Sequence, residues 1–216
     1  MLRENEWRGN KQFEGVVAVC TRGALLTEVL AGILSNIMPR ILGGRYWTIR
    51  TTFKDPIPDA QNLVTEEALT LNPQFIWYVE EDTVPPAGVL TQMIHKSSEV
   101  VVTDYLLEGG KQMSIHREGE AVPYSGMGCM LVNRTVFNKI QKPWFECGAW
   151  TWTGSGFSEH SFSLSGHQDV GFFVKLYEAD IHAVALPEGW RCRHLRLEEL
   201  GGRNTDRGLH KIREIK

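Results

Sequence analysis

At 216 residues, 42% apolar and 23% charged, the chain has enough material to bury one sizeable core. Its formal net charge of −3 is too small to argue for nucleic acid or an anionic membrane as a partner. No apolar run approaches the roughly 20 residues needed to span a bilayer, and Met1 to Arg8 lack the apolar core of a signal peptide. The four cysteines, Cys20, Cys129, Cys147 and Cys192, form no C-x-x-C pair. A reduced, cytoplasmic protein of one domain is therefore expected, with residues 1–14 as a loose polar arm.

The first strand is expected at Val16–Cys20, followed by the turn Thr21-Arg22-Gly23 and a helix from Thr27 to Met38. Leu30, Ile33, Leu34 and Ile37 mark its inner face, and Pro39 is its expected stop. Strand, turn and helix in that order open an α/β fold, and the turn falls at the strand's carboxyl end. Arg22 there is either a phosphate ligand or an exposed loop residue. Tyr46–Phe53 reads as a second strand. Asp59 is placed as N-cap of a helix from Ala60 to about Leu71, with Leu63, Val64, Ala68 and Leu71 inward.

The run Phe75-Ile76-Trp77-Tyr78-Val79 is short, aromatic and β-branched, apolar on both faces, and fits a strand buried mid-sheet. It ends in Glu80-Glu81-Asp82 and then Pro85-Pro86. Strand alternation would put Glu80 and Asp82 on one face and Glu81 on the other. Two carboxylates at that end either hold a hard divalent cation or form a polar turn after a core strand. Pro86 opens a further helix with Val89, Leu90, Met93 and Ile94 buried. Another strand is expected over Glu99–Tyr105, then a surface turn or hairpin over 108–119. Gly126 and Gly128 precede an apolar strand reaching Val132, where glycine permits close backbone approach to a ligand. A helix over Arg134–Ile140 follows.

Residues 147–168 combine glycine, hydroxyl side chains and tryptophan. They suit either a mobile lid or a loop whose tryptophans plug the core. Asp169 precedes an amphipathic helix with Phe173, Val174 and Tyr177 in its stripe, and is expected as N-cap. Asp180–Pro187 is a return strand. His194 follows, and residues 197–216 form a basic tail.

In this order the elements resemble the GT-A-fold glycosyltransferases, in particular small family 2-like enzymes of bacteria and viruses, over about residues 15 to 196. Glu80-Glu81-Asp82 stands at the family's Asp-x-Asp motif, and Asp59-Ala60-Gln61-Asn62 at its "Ala-Arg-Asn" helix start. Tyr124 to Val132 matches its glycine-containing acceptor-side strand, Gln168-Asp169 its Glu-Asp pair, and His194 its late histidine. Glu80 replaces the usual first aspartate and Gln61 the usual arginine.

The resemblance implies an α/β, Rossmann-like architecture: a central mixed, mostly parallel sheet flanked by helices. Its nucleotide-binding half would cover about 15–105 and its acceptor half about 106–196. It implies a nucleotide-sugar donor (UDP- or GDP-sugar) and Mn²⁺ or Mg²⁺ held by Asp82 with Glu80 and His194. Thr21, Arg22, Glu81, Gly126 and Gly128 would lie on the donor, and Asp169 would be the general base of an inverting transfer. Ser158-Glu159…Phe162 imitates the same acidic pattern and makes Glu159 the competing base. The acceptor is left open among small molecule, glycan, protein and modified nucleic-acid base. A silent nucleotide-sugar or glycan-binding relative and a sugar nucleotidyltransferase are the other readings.

Overall fold

The computed structural model describes residues 13–21, 25–53, 56–107, 111–112, 121–148, 150–153, 155–159, 168–199 and 210–214. In chain order the elements are β1 (Gly15–Thr21), α1 (Thr27–Leu42), β2 (Trp47–Phe53), α2 (Ile57–Thr70), β3 (Phe75–Val79), β4 (Thr83–Val84), α3 (Val89–His95), β5 (Val100–Val102), β6 (Leu106–Leu107), β7 (Lys111–Gln112), β8 (Ala121–Val122), β9 (Cys129–Asn133), β10 (Trp150–Trp152), β11 (Phe157–Glu159), α4 (Gln168–Glu178), β12 (Ala183–Ala185), β13 (Arg193–Glu199) and β14 (His210–Glu214). Residues Arg134–Asn138 form a 3₁₀ turn where a helix was expected. No helix among the described residues is long and apolar enough to cross a membrane.

A seven-stranded mixed sheet in the order β2-β1-β3-β9-β5-β12-β8 forms the centre. β1 pairs in parallel with β2 and β3, and β5 in parallel with β12. β9 lies antiparallel between β3 and β5, and β8 is antiparallel to β12. Side-chain alternation divides the interior in two. Val16, Ala18, Ile76, Tyr78, Val100, Val102, Met130 and Val132 face a core shared with α2 and α4. Val17, Val19, Trp77, Val79, Val101 and Leu131 face the opposite core, shared with α1 and α3. Apolar residues at consecutive positions are what a sheet covered on both faces requires, and each fully buried aliphatic side chain stabilises the fold by about 1.5–3 kcal/mol.

The helix faces depart from the apolar count. In α1 the buried set is Val29, Gly32, Ile33, Asn36 and Ile37, while Leu30 and Leu34 are exposed. Gly32 is inside because Pro85 occupies the space of its absent side chain. Asn36 is inside because its amide donates to Pro86 O at 3.0 Å and its Oδ1 accepts from Leu90 N–H at 3.1 Å. α1 also runs through Pro39 to Leu42. Proline removes one donor but keeps its carbonyl, and Gly43 N–H donates to Pro39 O at 3.0 Å. Arg40 Nε, donating to Glu14 at 2.6 Å, anchors that last turn.

α2 begins at Ile57 after Pro56, so Asp59 lies in its first turn rather than at its N-cap; Pro58 fits there because early helical positions need no donor. Leu63 is exposed, while Gln61 and Thr65 are buried in its stead. Thr65 Oγ1 and Tyr78 OH are 2.6 Å apart. In α3, Val89, Leu90 and Met93 are buried as expected.

The span 150–159 is a two-stranded hairpin rather than an open loop: β10 pairs antiparallel with β11. Trp152 meets the rings of Phe157 and Tyr177 at 5.2 and 6.1 Å, and the Trp150 ring lies over Gly148 and Gly171. These tryptophans therefore pack inward against α4. Residues 160–167 of the expected lid lie outside the described residues. The expected domain limit at 196 falls inside β13, whose partner β14 runs antiparallel to it, and β13 also pairs with β4.

Candidate active site

β3 ends at Val79 and the chain turns at Glu81 and Asp82, with Thr83 N–H donating to Glu80 O at 3.2 Å. The alternation expected to separate Glu81 from Glu80 and Asp82 therefore does not apply, because these residues have left the strand. Their position is fixed from both sides. On one side β9 is antiparallel to β3, so its N-terminal end meets the carboxyl end of β3, and Glu80 N–H donates to Gly128 O at 3.2 Å. On the other side the two-residue β4 pairs with β13, with His194 opposite Thr83 and Leu195 N–H donating to Asp82 O at 2.8 Å.

That second pairing brings Asp82 and His194 together from opposite ends of the sequence. Nε2 of His194 is 3.5 Å from Oδ2 of Asp82, and both side chains are partly exposed. Nδ1 of His194 lies 3.3 Å from Leu106 O. The Asp82 carboxylate, by hydrogen bond and charge, raises the His194 pKa above the ordinary imidazole value against the opposing effect of burial.

Tyr105 occupies the middle of this arrangement, buried, with its ring centroid 5.1 Å from that of His194. Burial raises its phenol well above the ordinary tyrosine value, and the charges of Glu80, Asp169 and Asp82 raise it further. Carboxylates from the end of β3 and the start of α4 thus act on one side chain. Tyr105 also accounts for a glycine. A side chain at Gly128 would begin 2.4 Å from Tyr105 Cε1 and 2.8 Å from Thr83 Oγ1. The room expected for a ligand at Gly128 is filled by Tyr105. Gly126 is likewise buried, in the segment leading to β9.

Asp169 is the second residue of α4 rather than its N-cap. It is 6% exposed, and its Oδ1 has no hydrogen-bond partner among the described residues. Burial pushes its pKa up to about 7, although hydrogen bonds from its own backbone amide and the Gln168 side chain pull it down. The competing base Glu159 belongs to β11. The neighbouring Phe157 packs on Tyr177 at 5.9 Å, about two turns along α4 from Asp169.

Thr21 ends β1 at the same carboxyl edge. Its neighbour Cys20 is pushed up to about 12, chiefly by burial and then by Glu80 and Glu81, which puts both glutamates near the end of β1. Arg22 lies outside the described residues. Tyr105 and the buried Asp104, 3.5 Å from Arg191, were not singled out from sequence. A tyrosine at the end of an apolar run looks like core, and its role shows only once β9 and β13 are placed beside it.

Among the described residues no group of three or more His, Cys, Asp and Glu side chains forms a metal cage. The Asp82–His194 pair does fit an open site. Hard divalent cations often take one or two protein ligands and complete their shell with substrate phosphate and water.

No protein-family model matches the chain, and no curated protein matches it. Solved structures do. A197 from STIV is similar over 86% of this chain and 88% of its own, with a TM-score of 0.58 and 15% identity. S. aureus TarS 1-349 is similar over 81% of this chain and 58% of its own (TM-score 0.47, 13% identity). The 4-diphosphocytidyl-2C-methyl-D-erythritol synthase of Anaerococcus prevotii DSM 20548 is similar over 84% and 88% respectively (TM-score 0.43, 8% identity). With its mixed, mostly parallel seven-stranded sheet between helices, the chain has a GT-A-like fold.

Proposed function

We propose that the chain is a nucleotide-sugar-dependent glycosyltransferase whose donor diphosphate is met at Asp82 and His194, with Asp169 as general base. The observation that supports this reading is the Asp82–His194 pair at the carboxyl edge of the sheet, with Tyr105 beside it under the charges of Glu80 and Asp169. Ligands bind at that edge in open α/β folds. A divalent cation held by Asp82 and His194, with Glu80 alongside, would neutralise charge on the departing nucleoside diphosphate. A mixed oxygen and nitrogen donor pair favours Mn²⁺ over Mg²⁺, which demands an oxygen octahedron.

Asp169 suits the base role on two counts. Its unpartnered Oδ1 is available to accept a proton, and a value of about 7 leaves it half-ionised at neutral pH. It takes the proton of an acceptor hydroxyl as that oxygen bonds to the anomeric carbon. The bond from that carbon to the diphosphate oxygen breaks, and its electron pair leaves with the diphosphate. One base without a protein nucleophile corresponds to inversion. Thr21, at the end of β1, and Glu81, in the turn after β3, would meet the nucleoside.

Donor hydrolysis and transfer assays across UDP- and GDP-sugars with Mn²⁺ test the reading, comparing wild type with Asp82→Ala, Asp169→Asn and Glu159→Gln. Turnover that falls in the first two and persists in the third is expected. A wild-type protein that turns over no nucleotide sugar and binds it equally well in EDTA would be the silent binding relative instead. Loss of transfer in Glu159→Gln with normal transfer in Asp169→Asn would move the base to β11.

A further inference from the structure

His194 is held on both nitrogens and on its ring face by residues of one short segment and one carboxylate. Tyr105 supplies the ring contact at 5.1 Å. The next residue, Leu106, presents its carbonyl oxygen 3.3 Å from Nδ1. A carbonyl only accepts, and so does the Asp82 carboxylate, whose Oδ2 is 3.5 Å from Nε2; with a cation on the Nε2 lone pair, the hydrogen of a neutral imidazole belongs on Nδ1, toward Leu106 O. A lone pair directed at a carboxylate is unfavourable alone and becomes favourable when a cation sits between the two. Tyr105 is in turn fixed by a slot that exists because residue 128 has no side chain, and Thr83 Oγ1 borders the same slot.

We infer that Tyr105 is a positioning residue: its ring, seated over Gly128, and the carbonyl of Leu106 together set the ring orientation and tautomer of His194 for a divalent cation shared with Asp82. The inference rests on the metal-assisted reading above and deepens it. It assigns Gly128 to the seating of Tyr105 rather than to the sugar. It also explains why a bulky ring is buried among carboxylates, where an aliphatic side chain would fill the volume without orienting the imidazole. Partners one step removed from a metal ligand commonly contribute 10–100-fold in affinity, roughly the size of effect expected here.

The test uses the intact chain and two readouts that do not depend on turnover. Isothermal titration with Mn²⁺ alone gives the affinity, and ¹⁵N chemical shifts of the His194 ring in the metal-free protein at pH 8 give the tautomer. Tyr105→Phe keeps the ring and should keep the wild-type ring shifts, with affinity within about 3-fold of wild type. Tyr105→Leu should populate both tautomers and bind Mn²⁺ about 10–100-fold more weakly. Gly128→Ala retains the tyrosine but displaces it, and should move both readouts the same way, which covers the case in which Tyr105→Leu does not fold. Val136→Ala, a core truncation beyond the opposite end of β9, should lower Tm and leave both readouts unchanged.

Wild-type tautomer and affinity in both Tyr105→Leu and Gly128→Ala would overturn the inference. Absence of Mn²⁺ binding by the wild type would instead overturn the metal reading, and the ring shifts would still decide whether Tyr105 orients His194.

Discussion

As the proposed base, Asp169 would set function against stability. Its carboxyl is buried at the start of α4 with Oδ1 unpartnered, and its pKa stands at about 7, against about 3.9 in an unfolded chain. Between those values the folded protein holds a proton that the unfolded protein releases. Stability therefore falls as pH rises from about 4 to about 7 and stays reduced above that window. Asp169→Asn removes the charge without changing the shape. At pH 8 it should raise Tm by on the order of a few °C, with little gain at pH 4. The same substitution should lower transfer by about 10²–10⁴-fold, the usual worth of a general base. In wild type, kcat/KM should climb with an apparent pKa near 7. A Tm gain with unchanged transfer would make Asp169 an ordinary buried carboxyl. Loss of both would mean that its charged form has a partner in the folded core.

At the scale of elements, the proline pair that follows the acidic turn is held by a clamp from α1. Asn36 donates to Pro86 O and Gly32 O, and accepts from Leu90 N–H. It thereby ties together α1, the proline pair and the start of α3. Truncation to alanine would strand the buried Leu90 N–H at a cost of about 1–3 kcal/mol, while Pro86 O keeps the Val89 N–H at 3.3 Å. Asn36→Ala should therefore lose about 1–3 kcal/mol in denaturant unfolding, whereas Leu34→Ala, on the exposed side of the same helix, should lose under about 1 kcal/mol. Equal losses would mean that the clamp contributes nothing beyond helix packing.

The same clamp shows what the sequence made legible. Strand positions were readable because runs such as Val16–Val19 and Phe75–Val79 are apolar on consecutive residues, the signature of two covered faces. Helix faces were misread by about one residue in α1 and α2 because their buried stripes include Gly32, Asn36, Gln61 and Thr65. An apolar count passes over such positions. Asp82, Asp169 and His194 could be named as separate residues of a resemblance. That Asp82 and His194 meet depends on a two-residue strand, β4, too short to leave a periodic signal. Tyr105 and Gly128 each carry an ordinary structural explanation in isolation, and their relation arises only from the antiparallel insertion of β9.

Across the whole molecule, the candidate site draws on the ends of β1 and β3, the residues after β5, the start of α4 and β13, so a ligand there would link segments from both halves of the fold. Such a ligand stabilises the folded state by mass action, by about 2.7 kcal/mol at a hundred times its dissociation constant. For a domain of this size that corresponds to a Tm rise of about 5–11 °C. Mn²⁺ with UDP or GDP should produce a shift of this order, larger than Mn²⁺ or the nucleotide alone, because the diphosphate completes the cation's shell and the cation offsets the diphosphate's charge. Binding of Mn²⁺ should also strengthen as pH rises past the elevated His194 pKa, since the cation must displace the proton that Asp82 favours there. Asp82→Ala should abolish the excess shift of the pair while leaving the small nucleotide-only shift intact. If the nucleotide shift is the same in EDTA as in Mn²⁺, the diphosphate is bound by side chains alone and the proposed cation site is wrong. If the shift needs Mn²⁺ but survives Asp82→Ala, the cation is held elsewhere, and the closeness of Asp82 and His194 serves only to fasten β13 to β4.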